Sequence, residues 1–249
     1  MLSDSVSLKK PLVHCISNIV SANDCANLLL AIGASPIMAQ APEEMEEISS
    51  ISDALVLNTG TPSEEKFKAC RIAGITANSR RIPVILDPVG IGASSWRLKH
   101  INGLLSEIHP SIIRANNAEA RALLGIFGLE HGVDSEQDET GTEAELAMRL
   151  AQKYNCTVLL SGRDDIISDC HSTATISGGS LRMKQITGAG CMLSVLCGAF
   201  AAVADPFDAA KAGAKLWKKA AEYAEKTAEN KGPGSFHYAL FDSVSSVKI

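Results

Sequence analysis

The sequence predicts an α/β fold: a mostly parallel central sheet flanked by helices, with an antiparallel hairpin at one edge. Three observations predict it. Short β-like runs alternate with helix-like stretches along most of the 249 residues, the pattern of strands joined by helical crossovers. Several runs are unbroken apolar stretches, as burial on both faces of a parallel sheet demands. The pattern changes at residues 166–184, where alternating residues around Gly178 and Gly179 read as antiparallel pairing that closes one edge.

In chain order, the first strand falls on residues 11–16, and a helix over 23–32 follows and stops at Gly33. Pro42 suits a first helical turn. Strands follow at 54–58, 84–87 and 112–114, each running into polar or Gly/Pro residues. Residues 125–141 read as an acidic, loop-like insertion, with its acidic stretch at 130–139. Thr142 and Glu145 have capping-box spacing, and a further strand falls on 157–161. From Cys191 onward the pattern is helical. Asp205 and Pro206 open an Ala- and Lys-rich helix that runs to about Asn230, ahead of GPGS at 232–235. No repeat, low-complexity tract or linker divides the chain, so residues 1–249 are expected to form a single domain.

At 46% hydrophobic and 20% charged, the chain can bury a large core. Its net charge of -5 is spread without any basic stripe, which excludes the electrostatic footprint of a nucleic-acid or anionic-membrane binder and favours a small-molecule partner. Residues 1–10 hold no basic segment followed by an apolar one, so a cytoplasmic location is expected. The longest apolar run, 191–204, is interrupted by Ser194 and Gly198 and is too short for roughly 30 Å of hydrocarbon. A buried helix is expected there. Seven cysteines without a CxxC pair argue against a disulfide framework or structural zinc site, and Cys15, Cys25, Cys70 and Cys197 read as reduced core thiols. His14, His171 and His237 show no metal or triad spacing, and Lys184 and Lys231 read as solvated.

Chemistry concentrates in three segments. ITGAGC, residues 186–191, puts two glycines and a cysteine between the end of a strand region and the long apolar helix. Glycines let main-chain amides converge there, and the helix's positive end adds about half a unit charge, which together make an anion hole. A tight turn that merely seats the helix is the bland alternative. Neither GxxxxGK[ST] nor GxGxxG occurs, so a P-loop or dinucleotide-binding enzyme lacks its signature. The second segment is Asn116, Asn117, Ala118 and Glu119 after the 112–114 strand. Glu119 there either positions Mg²⁺, which needs few protein ligands, or complements a helix capped by an asparagine. Third, LDPVGIGAS at 86–94 delivers Asp87 to a strand's C-terminal end, where ligands collect in open α/β sheets. It orients metal-bound water or caps the loop. Arg114, at the end of an apolar strand, needs water or an anion as partner.

These three motifs in this order resemble the ribokinase-like superfamily, and within it the hydroxyethylthiazole kinase family. ISN at 16–18, ANLLLAIGASPIMA at 26–39, LDPVGIGA at 86–93, residues 114–119, ITGAGC and KGPGSF at 231–236 carry the resemblance, which covers about residues 11–240. Most of the superfamily has aspartate after the GAG triplet, as general base; here Cys191 stands there, as in the thiazole kinases. The resemblance implies ATP- and Mg²⁺-dependent phosphorylation of the primary hydroxyl of 4-methyl-5-(2-hydroxyethyl)thiazole, in thiamin salvage. It implies that Met38, Gly188 and Asn18 contact the thiazole, that Arg114, Ser161, Ala189 and Gly190 contact ATP, that Glu119 and Asp87 serve the metal, and that Cys191 is catalytic. It also implies a homotrimer with active sites between subunits. As for Cys191, a thiol ordinarily ionises near pH 8.5, and a helix N-terminus can lower that, so it is either the base or a small pocket residue. Rival readings are a kinase for a hydroxymethylpyrimidine or sugar alcohol, a cysteine hydrolase pairing Cys191 with His14 or His171, and a binding protein without chemistry.

Overall fold

The computed structural model describes residues 1–126 and 141–249; the acidic stretch expected at 130–139 lies outside them. Strands β1 (Leu12–Ile16), β2 (Ser35–Ile37), β3 (Ala54–Asn58), β4 (Val84–Asp87), β5 (Ile112–Asn116), β6 (Thr157–Ser161), β7 (Asp165–Ser168) and β8 (Thr173–Ile176) form one sheet. Their spatial order is β2-β1-β3-β4-β5-β6-β7-β8. The pairs from β2 through β6 are parallel, and β7 and β8 are antiparallel. Parallel neighbours require crossovers, and helices supply them: α2 (Ala22–Ala31), α3 (Met45–Ile51), α4 (Glu64–Ser79), α5 (Ser95–Leu105), α6 (Asn117–Leu124) and α7 (Glu143–Tyr154). Helix α1 (Leu2–Lys9) precedes the sheet, and α8 (Ala189–Ala201), α9 (Pro206–Thr227) and α10 (Pro233–Ser246) follow it.

Alternation along each strand sorts the core into two layers. Val13, Cys15, Val56, Ile85 and Leu159 face the layer of α2, α8, α9 and α10. Leu55, Leu57, Leu86, Ile113 and Leu160 face that of α3 to α7. Every residue from Cys191 to Ala201 is buried, so α8 is the central helix of its layer. Each large apolar side chain it buries contributes about 1.5–3 kcal/mol, which fixes the loop at its N-terminus. The chain leaves β1 in one direction toward β2 and then crosses back over it to β3. That reversal is the switch point at which open α/β sheets bind ligands.

The expected strands at 54–58, 84–87 and 157–161 coincide with β3, β4 and β6, and the capping box of Thr142 and Glu145 forms. Three expectations need correction. The short edge strand β2 was not read as a strand at all; Pro36 sits in it, which an edge tolerates because an absent N–H leaves no ladder bond broken there. The hairpin lies earlier than Gly178 and Gly179: its turn is made by Asp169, whose Oδ1 accepts from His171 N and Ser172 N at 2.7 and 2.6 Å. And ITGAGC follows a 3-10 turn, Leu181–Gln185, rather than a strand. Among the described residues no helix is long and apolar enough to cross a membrane, and all seven cysteines are free. Burial pushes Cys70 and Cys197 up to about 12, as for inert core thiols.

Candidate active site

Parallel pairing puts the C-terminal ends of β1 to β6 on one edge. Asn18 follows β1, Met38 follows β2, Asn58 ends β3, Asp87 ends β4, Arg114 and Asn116 lie at the end of β5, and Ser161 ends β6. The register pairs Asn58 with Asp87 and Asn116 with Ser161. Residues spread over more than 140 positions of sequence thereby meet along a single crevice.

Asp87 is fully buried and is the hub. Its Oδ2 accepts from Asn58 Nδ2 at 2.7 Å and Ser194 Oγ at 2.8 Å, and its Oδ1 faces Arg114 Nη1 at 3.4 Å. Burial pushes the carboxyl above the ordinary carboxylate range; Arg114 pulls against that and Glu119 adds to it, so the two carboxylates are close enough to feel each other. Arg114 Nη2 donates to Ser161 Oγ at 2.6 Å. Its Nε is buried and has no hydrogen-bond partner among the described residues, so the guanidinium is not fully spent on the protein.

The GAG loop closes over this pair. Gly188 is the N-cap of α8 with φ +77°, and a Cβ on it would stand 2.6 Å from Ser21 Cβ. Gly190 lies directly on the Arg114 guanidinium, whose atoms would come within 2.4–2.6 Å of a Cβ. Gly188 needs glycine for its backbone conformation, and at Gly190 a side chain would push the guanidinium aside. No side chain caps α8, which leaves its first-turn amides available to an anion.

Glu119 is buried at the start of α6. Its Oε2 accepts from Asn116 N and its Oε1 from Gly90 N, both at 2.9 Å, while Asn116 Oδ1 accepts from Glu119 N. The capping box is therefore real, and it also aims the carboxylate at the loop after Asp87. Each oxygen keeps a lone pair.

A sequence model of the hydroxyethylthiazole kinase family matches residues 4–249. The chain belongs to this family. It is 43% identical to hydroxyethylthiazole kinase of Clostridium botulinum over 249 residues, 98% of this chain and 90% of that one. With hydroxyethylthiazole kinase of Listeria monocytogenes the identity is 44% over 250 residues, 100% and 93% of the two chains. The solved hydroxyethylthiazole kinase protein of Pyrococcus horikoshii has a TM-score of 0.87 at 36% identity, covering 100% of this chain and 92% of that one. Staphylococcus aureus pyridoxal kinase, solved with ADP, shares the fold at a TM-score of 0.64 and 15% identity, covering 86% and 88%. The ribokinase-like fold and the kinase class expected from the sequence hold.

Within this kinase the residues read from sequence fall into two groups. Asp87, Arg114, Ser161 and Gly190 share one connected cluster, Gly188, Ala189 and Cys191 adjoin it through α8, and Glu119 reaches the loop after Asp87 through Gly90 N. Asn18 is buried one loop away, with Oδ1 accepting from Val20 N at 3.2 Å, and Met38 packs half-buried on the α8 layer. Of the two readings of Cys191, the surroundings favour the small pocket residue. Burial pushes its thiol up and Asp87 adds to that, outweighing the hydrogen bonds of Ser21 and Asn58 and the charge of Arg114. At neutral pH it is a thiol, not a thiolate. The cysteine-hydrolase reading gives way to the family match; of its two candidate bases, His14 has both ring nitrogens engaged, with Ser49 Oγ and Ala39 O, each at 3.1 Å. Sequence reasoning missed Asn58 and Ser194, which hold the hub in place, and Ser21, which backs Gly188; only the Asn at the end of β3 carried a signal, its position opposite Asp87.

Proposed function

We propose that this chain transfers the γ-phosphoryl of ATP to the primary hydroxyl of 4-methyl-5-(2-hydroxyethyl)thiazole, acting as one kinase domain over residues 1–249 in thiamin salvage. The observation that carries it is the uncapped first turn of α8 lying on a guanidinium whose Nε is unspent. Phosphoryl transfer asks the protein mainly for in-line positioning and stabilisation of spreading charge. Amides of residues 189–191 meet the charge that builds on the transferring group. Arg114, held by Asp87 and Ser161, presents a fixed cation to the nucleotide. Ala189 and Gly190 give the nucleotide a close main-chain approach. Gly188, Met38 and Asn18 line the thiazole side.

The donor set suits a magnesium ion carried on the nucleotide. Mg²⁺ takes one or two carboxylates and fills its shell with phosphate oxygens and waters, and Glu119 and Asp87 are such a pair, Glu119 the more open of the two. When bound, the ion neutralises phosphate charge. Cys191 touches the acceptor as a neutral thiol, and the hydroxyl proton departs with the loosely bonded phosphoryl group rather than onto a base in advance. ATP as donor makes the cytoplasm the compartment of this reading. A homotrimer with sites between subunits follows the family resemblance, and Ile19 and Val20, 75% and 57% exposed beside Asn18, are the apolar side chains a neighbouring copy would cover.

The test is ATP consumption with a panel of alcohols. Mg²⁺-dependent ADP release with the hydroxyethylthiazole, and a phosphate monoester in the products, is expected. Preference for a hydroxymethylpyrimidine or a sugar alcohol would overturn the substrate assignment.

A further inference from the structure

Lys66 lies on the buried face of α4, 8% exposed, an uncommon place for an ammonium. Its Nζ donates to Ser17 O at 2.7 Å and to Gly60 O at 2.6 Å. Those carbonyls belong to the loops that leave β1 and β3, the two strands flanking the switch point. A charge enclosed this way carries a large desolvation penalty, which an apolar side chain of equal length would avoid. The lysine is therefore explained by what it holds.

What it holds runs on to the phosphate loop. Gly60 lies against Asn18, whose side-chain amide would come within 2.4–2.8 Å of a Cβ there. Asn18 O accepts from Ser21 N at 3.0 Å and Ser21 Oγ at 3.4 Å. Ser21 in turn backs Gly188 and hydrogen-bonds Cys191. The chain of contacts is Lys66, Ser17 and Gly60, Asn18, Ser21, then residues 188–191. Lys66 also feels the charge of Asp87, so it borders the same crevice.

We propose that Lys66 is a positioning residue for the acceptor alcohol: it clamps the loops after β1 and β3 together and so sets Asn18, Ser21 and Gly188 around the thiazole. The proposal rests on the assignment of the thiazole to the Asn18 side of the crevice. ATP, on the Arg114 and Ser161 side, is bound by groups that Lys66 does not touch.

The experiment compares wild type, Lys66→Met and Lys66→Gln by steady-state kinetics with each substrate varied, alongside thermal melting. Expected is a rise of about tenfold or more in KM for the thiazole alcohol, with KM for ATP unchanged within about twofold. KM does not depend on how much of the enzyme is folded, so partial unfolding does not mimic the result. Unchanged KM for the alcohol, equal rises in both KM values, or failure of both variants to fold would each overturn the proposal, the last by making Lys66 purely structural. A wild type active only on other alcohols refutes the substrate assignment beneath it; an active wild type whose variants keep its KM refutes the clamp alone.

Discussion

Gly190→Ala isolates the seating of Arg114. The added methyl would stand 2.4 Å from Nη1, 2.5 Å from Nη2 and 2.6 Å from Cζ, whereas carbon contacts settle near 3.5–4.0 Å. The guanidinium must retreat by about 1 Å. It is pinned at both ends, to Ser161 Oγ at 2.6 Å and Asp87 Oδ1 at 3.4 Å, so a retreat of that size breaks at least the first bond. A hydrogen bond to a charged group contributes about 1.5–3 kcal/mol, which is about 10- to 100-fold in kcat/KM for ATP at 1.36 kcal/mol per decade. Stability responds differently. Overpacking costs about 1–3 kcal/mol, while alanine in a helix gains about 1 kcal/mol over glycine, leaving a net loss of about 0–2 kcal/mol. At about 2–4 °C per kcal/mol for a chain this long, the melting point falls by less than about 8 °C. Coupled ADP release with ATP titrated, together with a thermal melt, reads both. A folded variant with wild-type kcat/KM for ATP would refute the packing of the guanidinium under the GAG turn.

Cys191→Ala should lower turnover by less than about 100-fold and leave KM for ATP unchanged, because a general base is worth about 10²–10⁴ and this thiol is not one. Burial raises the thiol's pKa, so thiolate appears only above its ordinary range near pH 8.5; wild type and variant should therefore have superimposable kcat profiles from pH 6 to about pH 8, and an acid limb present only in wild type would restore the base. Ile19→Asp paired with Val20→Asp should shift the assembly from trimer to monomer in light scattering after gel filtration, whereas a trimer that survives both charges would put the subunit contact elsewhere.

The sheet was legible where burial writes plainly. Ala54–Asn58, Val84–Asp87 and Thr157–Ser161 are enclosed on both faces, and two-sided burial leaves uninterrupted apolar runs. The GAG turn was legible because Gly188 takes a positive φ and Gly190 lies against the Arg114 guanidinium. β2 was not, since three residues with a proline at a sheet edge carry neither length nor periodicity. The hairpin was misplaced because an aspartate's side-chain acceptor, rather than the glycine pair, makes its turn. Ser194 and Lys66 were invisible for a different reason. Ser194 meets Asp87 across 107 positions, and Lys66 meets Ser17 across 49, contacts that exist only once the sheet has brought strand ends together. The choice between the two readings of Cys191 was likewise illegible: a helix N-terminus is written locally, but the burial that raises the thiol is set by the whole layer around α8.

The charges of the crevice explain why its anion site is built from backbone. Its ionisable side chains include two acids, buried Asp87 and Glu119, and two bases, half-buried Arg114 and buried Lys66, whose formal charges cancel. Arg114 is held by Asp87 and Lys66 is spent on carbonyls. Neither is a free point charge like the lysine of a P-loop, a motif this chain lacks. A further buried lysine would have to be held without a partner until the nucleotide arrives, at a cost of several kcal/mol. Uncapped amides at a helix N-terminus avoid that penalty, because they are dipoles that water solvates between turnovers and phosphate replaces during them. On the proposed function the remaining phosphate charge would fall to a cation carried by the nucleotide, which Glu119 and Asp87, the two carboxylates nearest the loop after β4, would hold.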